Sequence, residues 1–200
     1  GYQTAILGKW HLVGEPEGFD YFNVLPGQGR YWNPILKTKK NWQDGHNSAS
    51  GKEYKGFSTD VIADLTIDHL EKRDPEKPFL MFCNFKATHE PFDYPERHKD
   101  LNKGVHIPEP KSLFDFGKET TGRSFKGQVV ENLAERWKKA VEDEHFWTTY
   151  PGLPYPLEGL DFVQKRKKIY QKLVKDFLRC GAAIDDNIGK LLDYLETEGI

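Results

Sequence analysis

Two short segments of the sequence each place a lysine close to a histidine directly after an apolar run. The first segment carries Lys9 and His11, and the second carries Lys86 and His89. A lysine ammonium binds the oxygens of a tetrahedral oxyanion as a point charge, and a nearby imidazole can transfer a proton near neutral pH. Together these residue types suit transfer of a sulfuryl or phosphoryl group, in which positioning and charge stabilisation lower the barrier.

The apolar runs before the two lysine–histidine pairs predict strands of one sheet. Residues 5–7 are Ala-Ile-Leu, and residues 79–85 are apolar apart from one asparagine, which predicts a central strand covered on both faces. A helix is predicted over about 58–73, with Ser58 or Thr59 as its cap. A helix, a short loop and a buried strand in this order indicate an α/β fold with a mostly parallel sheet. Because ligands bind at the carboxyl ends of such strands, we expect both pairs to face one crevice.

The remaining segments predict a short strand, a surface hairpin or loop, and two further helices. The expected ranges are the strand at 19–25, the hairpin or loop at 35–55, and helices at about 128–145 and 161–198. Residues 96–160 are rich in loops and are expected to form an insertion that lines or covers the site.

Length and charge exclude some classes of protein. The chain has 200 residues and a net charge of −2, so it carries no overall basic field for nucleic acid or an anionic membrane. No apolar run reaches the roughly 18 residues of a membrane helix. The chain starts without methionine, inside an expected βα unit, so we expect it to be an internal fragment. The lack of a signal peptide therefore does not indicate a compartment.

Several charged clusters are interpreted as structural. The lysines at 37, 39 and 40 and the basic run at 165–168 are expected to be solvated surface. The Asp-Asp-Asn cluster at 185–187 is expected on a solvated or helix-packing face, in preference to a cation site.

The sequence shows neither an activated nucleophile nor a metal site. Cys83 and Cys180 lie in apolar contexts without metal-site spacing, which favours buried free thiols over a disulfide. No serine, threonine or cysteine stands in an activating motif, and no dense set of carboxylates marks a divalent-cation site.

Four segments together resemble the sulfatase family over nearly the whole chain. Residues 1–12, Gly-Tyr-Gln-Thr-Ala-Ile-Leu-Gly-Lys-Trp-His-Leu, resemble the second sulfatase signature, and residues 19–34 resemble the segment that follows it in bacterial carbohydrate sulfatases. Residues 77–91 resemble the strand that ends in Lys-Ala-Pro-His, with Thr88 in place of proline. Residues 176–195 resemble the helix before the family's next metal-binding strand.

The resemblance implies an alkaline-phosphatase-like, three-layer α/β sandwich, incomplete here. Residues 1–200 would be an internal part of the N-terminal catalytic domain. The implied activity is hydrolysis of a sulfate ester with a formylglycine nucleophile and a calcium ion, in a periplasmic or secreted protein. The nucleophile segment, Cys-x-Pro-Ser-Arg, and the calcium ligands are expected outside these residues, so the fragment alone is expected to be inactive.

The resemblance also implies roles for individual residues. Lys9 would contact the sulfate and the formylglycine. His11 would contact the formylglycine hydroxyl and help to release sulfate. His89 would act at the leaving oxygen, as an acid or a hydrogen-bond donor.

Three further residues are expected to bind substrate. Lys86 is a candidate contact to the substrate or its sulfate, and Gln28 and Arg30 are candidates for the lining of the pocket. The expected substrate is a sulfated carbohydrate, such as N-acetylglucosamine-6-sulfate in glycosaminoglycan or mucin glycans. Two alternatives stay open: a phosphodiesterase or phosphonate monoester hydrolase of the same superfamily, and a pseudo-enzyme that binds sulfated glycan without cleaving it.

Overall fold

The computed structural model of the protein describes residues 1–114 and 129–200. Its strands are β1 (Gln3–Trp10), β2 (Tyr21–Pro26), β3 (Ile35–Leu36), β4 (Lys52–Glu53) and β5 (Phe79–Asn84). Its α-helices are α1 (Ser58–Glu71), α2 (Val130–Glu142) and α3 (Phe162–Glu198). Short 3-10 turns occupy Lys39–Asn41, Ser48–Ser50, Glu96–His98 and Lys111–Phe114. The expected start of the α2 helix, Gln128, lies outside the described residues.

The described residues form two compact units. The first comprises Gly1–His89 and Gly181–Ile200, and the second comprises Glu90–Cys180. The loop-rich insertion expected at 96–160 stays a prediction, and its residues 115–128 lie outside the described part of the chain. None of the described helices combines the length and the apolar character that a membrane crossing requires.

The first unit is built on a parallel sheet, as the sequence predicts. β1 pairs in parallel with β2 on one side and with β5 on the other. In this register Lys9 lies beside Leu25, and Gly8 lies beside Asn84. All three strands therefore end at the same edge of the sheet, where the segments after them come together.

The apolar run of β1 forms the centre of the core in the first unit. Ala5, Ile6 and Leu7 are at most 3% exposed. Ile6 belongs to one apolar cluster with residues of β2 and a following loop, whereas α1 packs through Ile62 in a second cluster. Burial of these side chains stabilises the sheet because apolar surface leaves water.

The expectation that β5 is covered on both faces is wrong for the described residues. Leu80 is 49% exposed and Phe82 is 45% exposed. β5 is the outer strand of the described sheet, and the ring of Phe82 makes an edge-on contact with Phe19 at 5.8 Å between ring centroids. An apolar sequence reports the tendency of a strand to be buried, but not the presence of a covering element.

The predicted cap of α1 is also wrong. Phe57 occupies the N-cap position, and no side chain caps the helix. Ser58 and Thr59 are completely buried, and their hydroxyl oxygens have no hydrogen-bond partner among the described residues. Burial of Phe57 has set the start of the helix, and the two hydroxyl residues have become its first turn.

Of the surface hairpin or loop expected at 35–55, the structure shows the hairpin, since β3 and β4 pair antiparallel. The expectation that Lys37 is solvated is wrong. This lysine is 0% exposed, forms an ion pair with Asp44, and donates to the carbonyls of Gly45 (2.6 Å) and Asn47 (2.8 Å). Lys37 therefore holds the loop as a buried cation, whereas Lys39 and Lys40 are exposed as expected.

The second unit packs α2 against the first part of α3. Trp137 and Ile169 are buried in one apolar cluster, whereas Val141, expected on the same face, is 52% exposed. Arg166, expected on the surface, is 7% exposed; it donates to the Leu113 carbonyl at 2.6 Å and makes a bidentate ion pair with Glu131. A guanidinium can enter such a site because its donors match a carboxylate and a carbonyl.

The last part of α3 carries the Asp-Asp-Asn cluster at 185–187. Asp185 and Asp186 are exposed, but Asn187 is buried and donates to Asp60 in α1 at 2.7 Å. The cluster thus divides between solvent and helix packing. No disulfide joins Cys83 and Cys180; Cys180 is buried as expected, whereas Cys83 is only partly buried and accepts a hydrogen bond from a threonine hydroxyl.

Candidate functional site

Two lysines converge on the segment that follows β2. Lys9 Nζ donates to the carbonyl of Gly27 and lies 3.5 Å from Gln28 Oε1. Lys86 Nζ donates to the main-chain carbonyl of Gln28 at 2.9 Å. The parallel register produces this meeting, because it brings the ends of β1, β2 and β5 to one edge. We call this group of Lys9, Lys86 and Gln28 the lysine corner.

The two ammonium groups repel one another across the lysine corner. Burial, and in second place the positive charge of Lys86, lower the pKa of the Lys9 ammonium to about 8. Lys9 has no carboxylate partner among the described residues. A pair of cations held this way favours binding of an anion, because the anion would offset both the cost of burying the Lys9 charge and the repulsion between the two ammonium groups.

Lys86 is the more buried of the two, at 5% exposure. Its ammonium lies 4.8 Å from the centroid of the Tyr31 ring, where the negative face of the ring attracts it. The hydrogen bond to the Gln28 carbonyl and this ring contact fix the position of the ammonium group.

Glycines allow the backbone to pass closely at this edge. Gly8 has φ +90°, and a Cβ there would lie 2.0 Å from the carbonyl oxygen of Asn84. Gly29 has φ +61°, and a Cβ there would lie 2.5 Å from the Leu25 side chain. Neither position has room for a side chain, so glycine is required both within β1, at Gly8, and in the turn after β2, at Gly29.

The two histidines lie at the same edge with exposed side chains. His11 follows the last residue of β1, and no hydrogen bond or ion pair joins its side chain to another described residue. The backbone of His89 is fixed at both ends, since its N–H donates to the Lys86 carbonyl at 3.1 Å and its carbonyl accepts from Tyr31. The structure thus presents both imidazoles to solvent beside the lysine corner.

Tyr31 is a residue of this site that the sequence did not indicate. It is 4% exposed, its hydroxyl donates to the His89 carbonyl at 2.6 Å, and its ring stacks on Phe57. The only signal in the sequence is its place after the glycine-rich turn, which does not show where the hydroxyl points.

Gln28 and Arg30 line an open cavity of ≈ 360 Å³ in the first unit. Arg30 forms an ion pair with Glu53 of β4, and His46 and Ser48 lie on the same wall. The cavity places a guanidinium, an amide and an imidazole around one polar space, so it suits a ligand with several hydroxyl or anionic oxygens.

The described residues do not provide a metal site. No three histidine, cysteine, aspartate or glutamate side chains come together there as ligands. What the site offers is positive charge at a strand edge, fixed main-chain geometry, and two imidazoles that can carry protons.

The chain is similar to known sulfatases. A curated relative from Bacteroides thetaiotaomicron, an N-acetylglucosamine-6-O-sulfatase, is 32% identical over 230 residues that cover 100% of this chain and 40% of the relative. An arylsulfatase from Clostridium perfringens is 37% identical over 140 residues, which cover 55% of this chain and 29% of that protein. The chain therefore spans less than half the length of these relatives.

A solved structure shares the fold of the whole chain. It is that of a protein in complex with its substrate, D-glucosamine-2-N,6-O-disulfate, and it matches with a TM-score of 0.84 and 30% sequence identity. The match covers 100% of this chain and 45% of that protein. The α/β fold with a parallel sheet, expected to be alkaline-phosphatase-like, is confirmed by this match. Since the family model described as Sulfatase also matches residues 1–200, the chain belongs to the sulfatase family.

Proposed function

We propose that the whole protein hydrolyses a sulfate ester of a sulfated carbohydrate, with N-acetylglucosamine-6-sulfate as the favoured substrate. The observation that carries the proposal is the lysine corner, where Lys9 and Lys86 converge on Gln28 at the ends of parallel strands. The N-acetylglucosamine-6-O-sulfatase relative and the solved complex with glucosamine disulfate support the choice of a sulfated amino sugar.

In this proposal Lys9 holds the sulfate group. Its pKa, which burial and Lys86 lower to about 8, still leaves most of the ammonium protonated at pH 7. Lys86 adds a second positive charge, and both groups are fixed before the ligand arrives. Charge that is already in place stabilises the negative oxygens of the transition state without further reorganisation.

The histidines move protons. A sugar alkoxide is a poor leaving group, so it needs a proton as the sulfur–oxygen bond breaks. His89 is the proposed donor, because its backbone is anchored by Tyr31 while its side chain remains exposed. His11, which follows β1 at the same edge of the sheet, is proposed to assist in the release of sulfate. Gln28 and Arg30 are proposed to contact the sugar.

Calcium and formylglycine are proposed as the cofactors of the whole protein, on the basis of family membership. When bound, calcium would supply further positive charge for the sulfate oxygens. No three histidine, cysteine, aspartate or glutamate side chains of the described residues come together to hold it. A periplasmic or secreted location is likewise proposed from the family.

The test measures sulfate release from N-acetylglucosamine-6-sulfate by the full-length protein. We expect turnover with the wild type, a loss of at least about 100-fold with Lys9→Ala, and no change with Lys39→Ala, which removes an exposed lysine of the same unit. His89→Ala should slow this substrate by about 100-fold or more, but slow nitrophenyl sulfate far less, because a good leaving group needs no proton.

Other outcomes would contradict the proposal. Hydrolysis of bis-nitrophenyl phosphate in preference to all sulfate esters would assign the protein to the phosphodiesterase alternative. Binding of the sugar sulfate without any turnover would favour the pseudo-enzyme. An intact gene that lacks Cys-x-Pro-Ser-Arg upstream of these residues would also contradict sulfatase activity.

A further inference from the structure

A cavity of ≈ 270 Å³ in the second unit has an excess of positive charge. Four cationic side chains line it, and the only carboxylate in the lining is Asp176. The cationic residues are Lys103, Lys172, Lys175 and Arg179.

The single carboxylate already forms ion pairs with two of these cations. Asp176 accepts from Lys172 at 2.6 Å and from Arg179 at 3.2 Å. Lys103 pairs with Asp100, which lies outside the cavity lining. The positive charge of the lining is therefore only partly neutralised.

Two groups retain hydrogen-bond donors for a ligand. Lys175 has neither a hydrogen bond nor an ion pair with any other described residue. Arg179 donates through Nε to the Leu101 carbonyl and through Nη1 to Asp176 and Tyr94, and its Nη2 has no partner in residues 1–114 and 129–200. Lys175 and Arg179 stand four residues apart on α3, so they share one face of the helix.

The surroundings strengthen an interaction with an anion. The side chains of Lys172 and Arg179 are 5% and 12% exposed, and a charge away from water attracts an opposite charge more strongly. Tyr94 and Tyr155 add aromatic surface on which the apolar face of a sugar can pack.

We propose that this cavity binds an anionic group of a sulfated glycan, a sulfate or a carboxylate, through Lys175 and Arg179. The inference rests on the proposed function, because that function brings a polyanionic glycan to the protein. The cavity would favour oligosaccharides with several charges over a monosaccharide with one sulfate.

The test measures equilibrium binding of a fluorescein-labelled heparin tetrasaccharide to the full-length protein. Lys175→Ala should weaken binding about five- to tenfold, as expected for loss of one charge-assisted hydrogen bond. Lys167→Ala is the matched control, because it removes an exposed lysine of the same helix that does not line the cavity. Sulfate release from N-acetylglucosamine-6-sulfate should be unchanged in both variants, and their melting temperatures should match the wild type.

The outcomes separate this inference from the proposed function. Unchanged tetrasaccharide binding in Lys175→Ala, or an equal loss in Lys167→Ala, would overturn the inference. Competition by inorganic sulfate as strong, mole for mole, as by unlabelled tetrasaccharide would make the cavity a site for free anions and would also overturn it. Lys175-dependent binding by a wild-type protein that releases no sulfate would support the cavity assignment and refute the proposed function.

Discussion

The hydroxyl of Tyr31 donates a hydrogen bond to the main-chain carbonyl of His89 at 2.6 Å, across 58 positions of sequence. The ring of the same tyrosine lies beneath the Lys86 ammonium. One buried side chain thus ties the turn after β2 to the segment after β5. We therefore predict that Tyr31 is a positioning residue, which would act on the candidate chemistry through its neighbours.

Tyr31→Phe should separate the role of the hydroxyl from that of the ring. The variant keeps the aromatic packing and the contact with Lys86, but it leaves the His89 carbonyl without this donor. We expect the free energy of unfolding to fall by about 0.5–1.5 kcal/mol. In the full-length protein, kcat on a sugar sulfate should fall several-fold with little change in KM.

Urea unfolding and steady-state kinetics check the Tyr31 prediction, and Tyr2→Phe is the control because Tyr2 is 66% exposed. Equal losses on sugar sulfate and nitrophenyl sulfate would contradict a role through His89, since only the first substrate needs its proton.

The pKa of Lys9 predicts how anion binding depends on pH. Because burial and Lys86 lower this pKa to about 8, the ammonium loses its charge as the pH rises through that value. The affinity of the full-length protein for sulfated substrate should therefore fall above about pH 8. Lys86→Met should move the midpoint upward, because it removes the neighbouring charge, whereas Lys39→Met should not.

The same pKa shift fixes the sign of the effect on stability. The unfolded chain, with the ordinary lysine pKa of 10.5, binds more protons than the folded chain between about pH 8 and 10.5. The contribution of Lys9 to the free energy of unfolding therefore rises with pH in that window. Lys9→Met should stabilise the protein at neutral pH. Calorimetry at several pH values measures how stability changes with pH and what Lys9→Met does to it. A binding affinity that does not change through pH 8 would contradict the lowered pKa of Lys9.

Lys37→Ala should destabilise the protein strongly without touching the lysine corner. The substitution leaves the carbonyls of Gly45 and Asn47 without their buried donor and leaves Asp44 without its cation. We expect a loss of about 2–4 kcal/mol in the free energy of unfolding. Lys39→Ala should change it by less than about 0.5 kcal/mol. Chemical denaturation measures both, and similar values would show that burial of Lys37 is unimportant.

Gly8→Ala should disrupt the sheet at the candidate site. A Cβ would lie 2.0 Å from the Asn84 carbonyl oxygen, and φ is +90°. Either β1 and β5 separate locally or the chain fails to fold, with an expected loss above about 3 kcal/mol. Gly14→Ala is the matched control, because no atom lies within 4 Å of its Cβ position. Normal stability of the Gly8 variant would contradict the close approach.

The parallel sheet and the edge that carries the candidate site could be predicted because strong local signals agreed. The apolar runs of residues 5–7 and of β5 predicted strands, and the apolar stripe of α1 predicted a helix between them. A strand, a helix and a second strand in this order favour parallel pairing. That pairing in turn brought Lys9 and Lys86 to one edge. The roles of the four lysines and histidines in catalysis remain predictions.

The residues that prediction missed depend on tertiary contacts. Lys37 reads as polar surface, yet three acceptors from one loop surround its ammonium and make its burial possible. Tyr31 gains its place through a carbonyl 58 positions away, which no local pattern contains. The error for Leu80 and Phe82 is the opposite one: they were expected to be buried but are exposed, because an apolar composition cannot show which neighbours are present.

The open side of β5 has a practical consequence for handling these 200 residues. Among the described residues β5 is an edge strand, and the leucine and the phenylalanine on its open face are exposed, so it is a template on which other strands can assemble. If a preparation of these residues self-associates, the exposed strand β5 would be the expected cause, and the association would not indicate a natural oligomer. The choice of which residues to express together with β5 should therefore affect whether a sample stays free of aggregation during activity measurements.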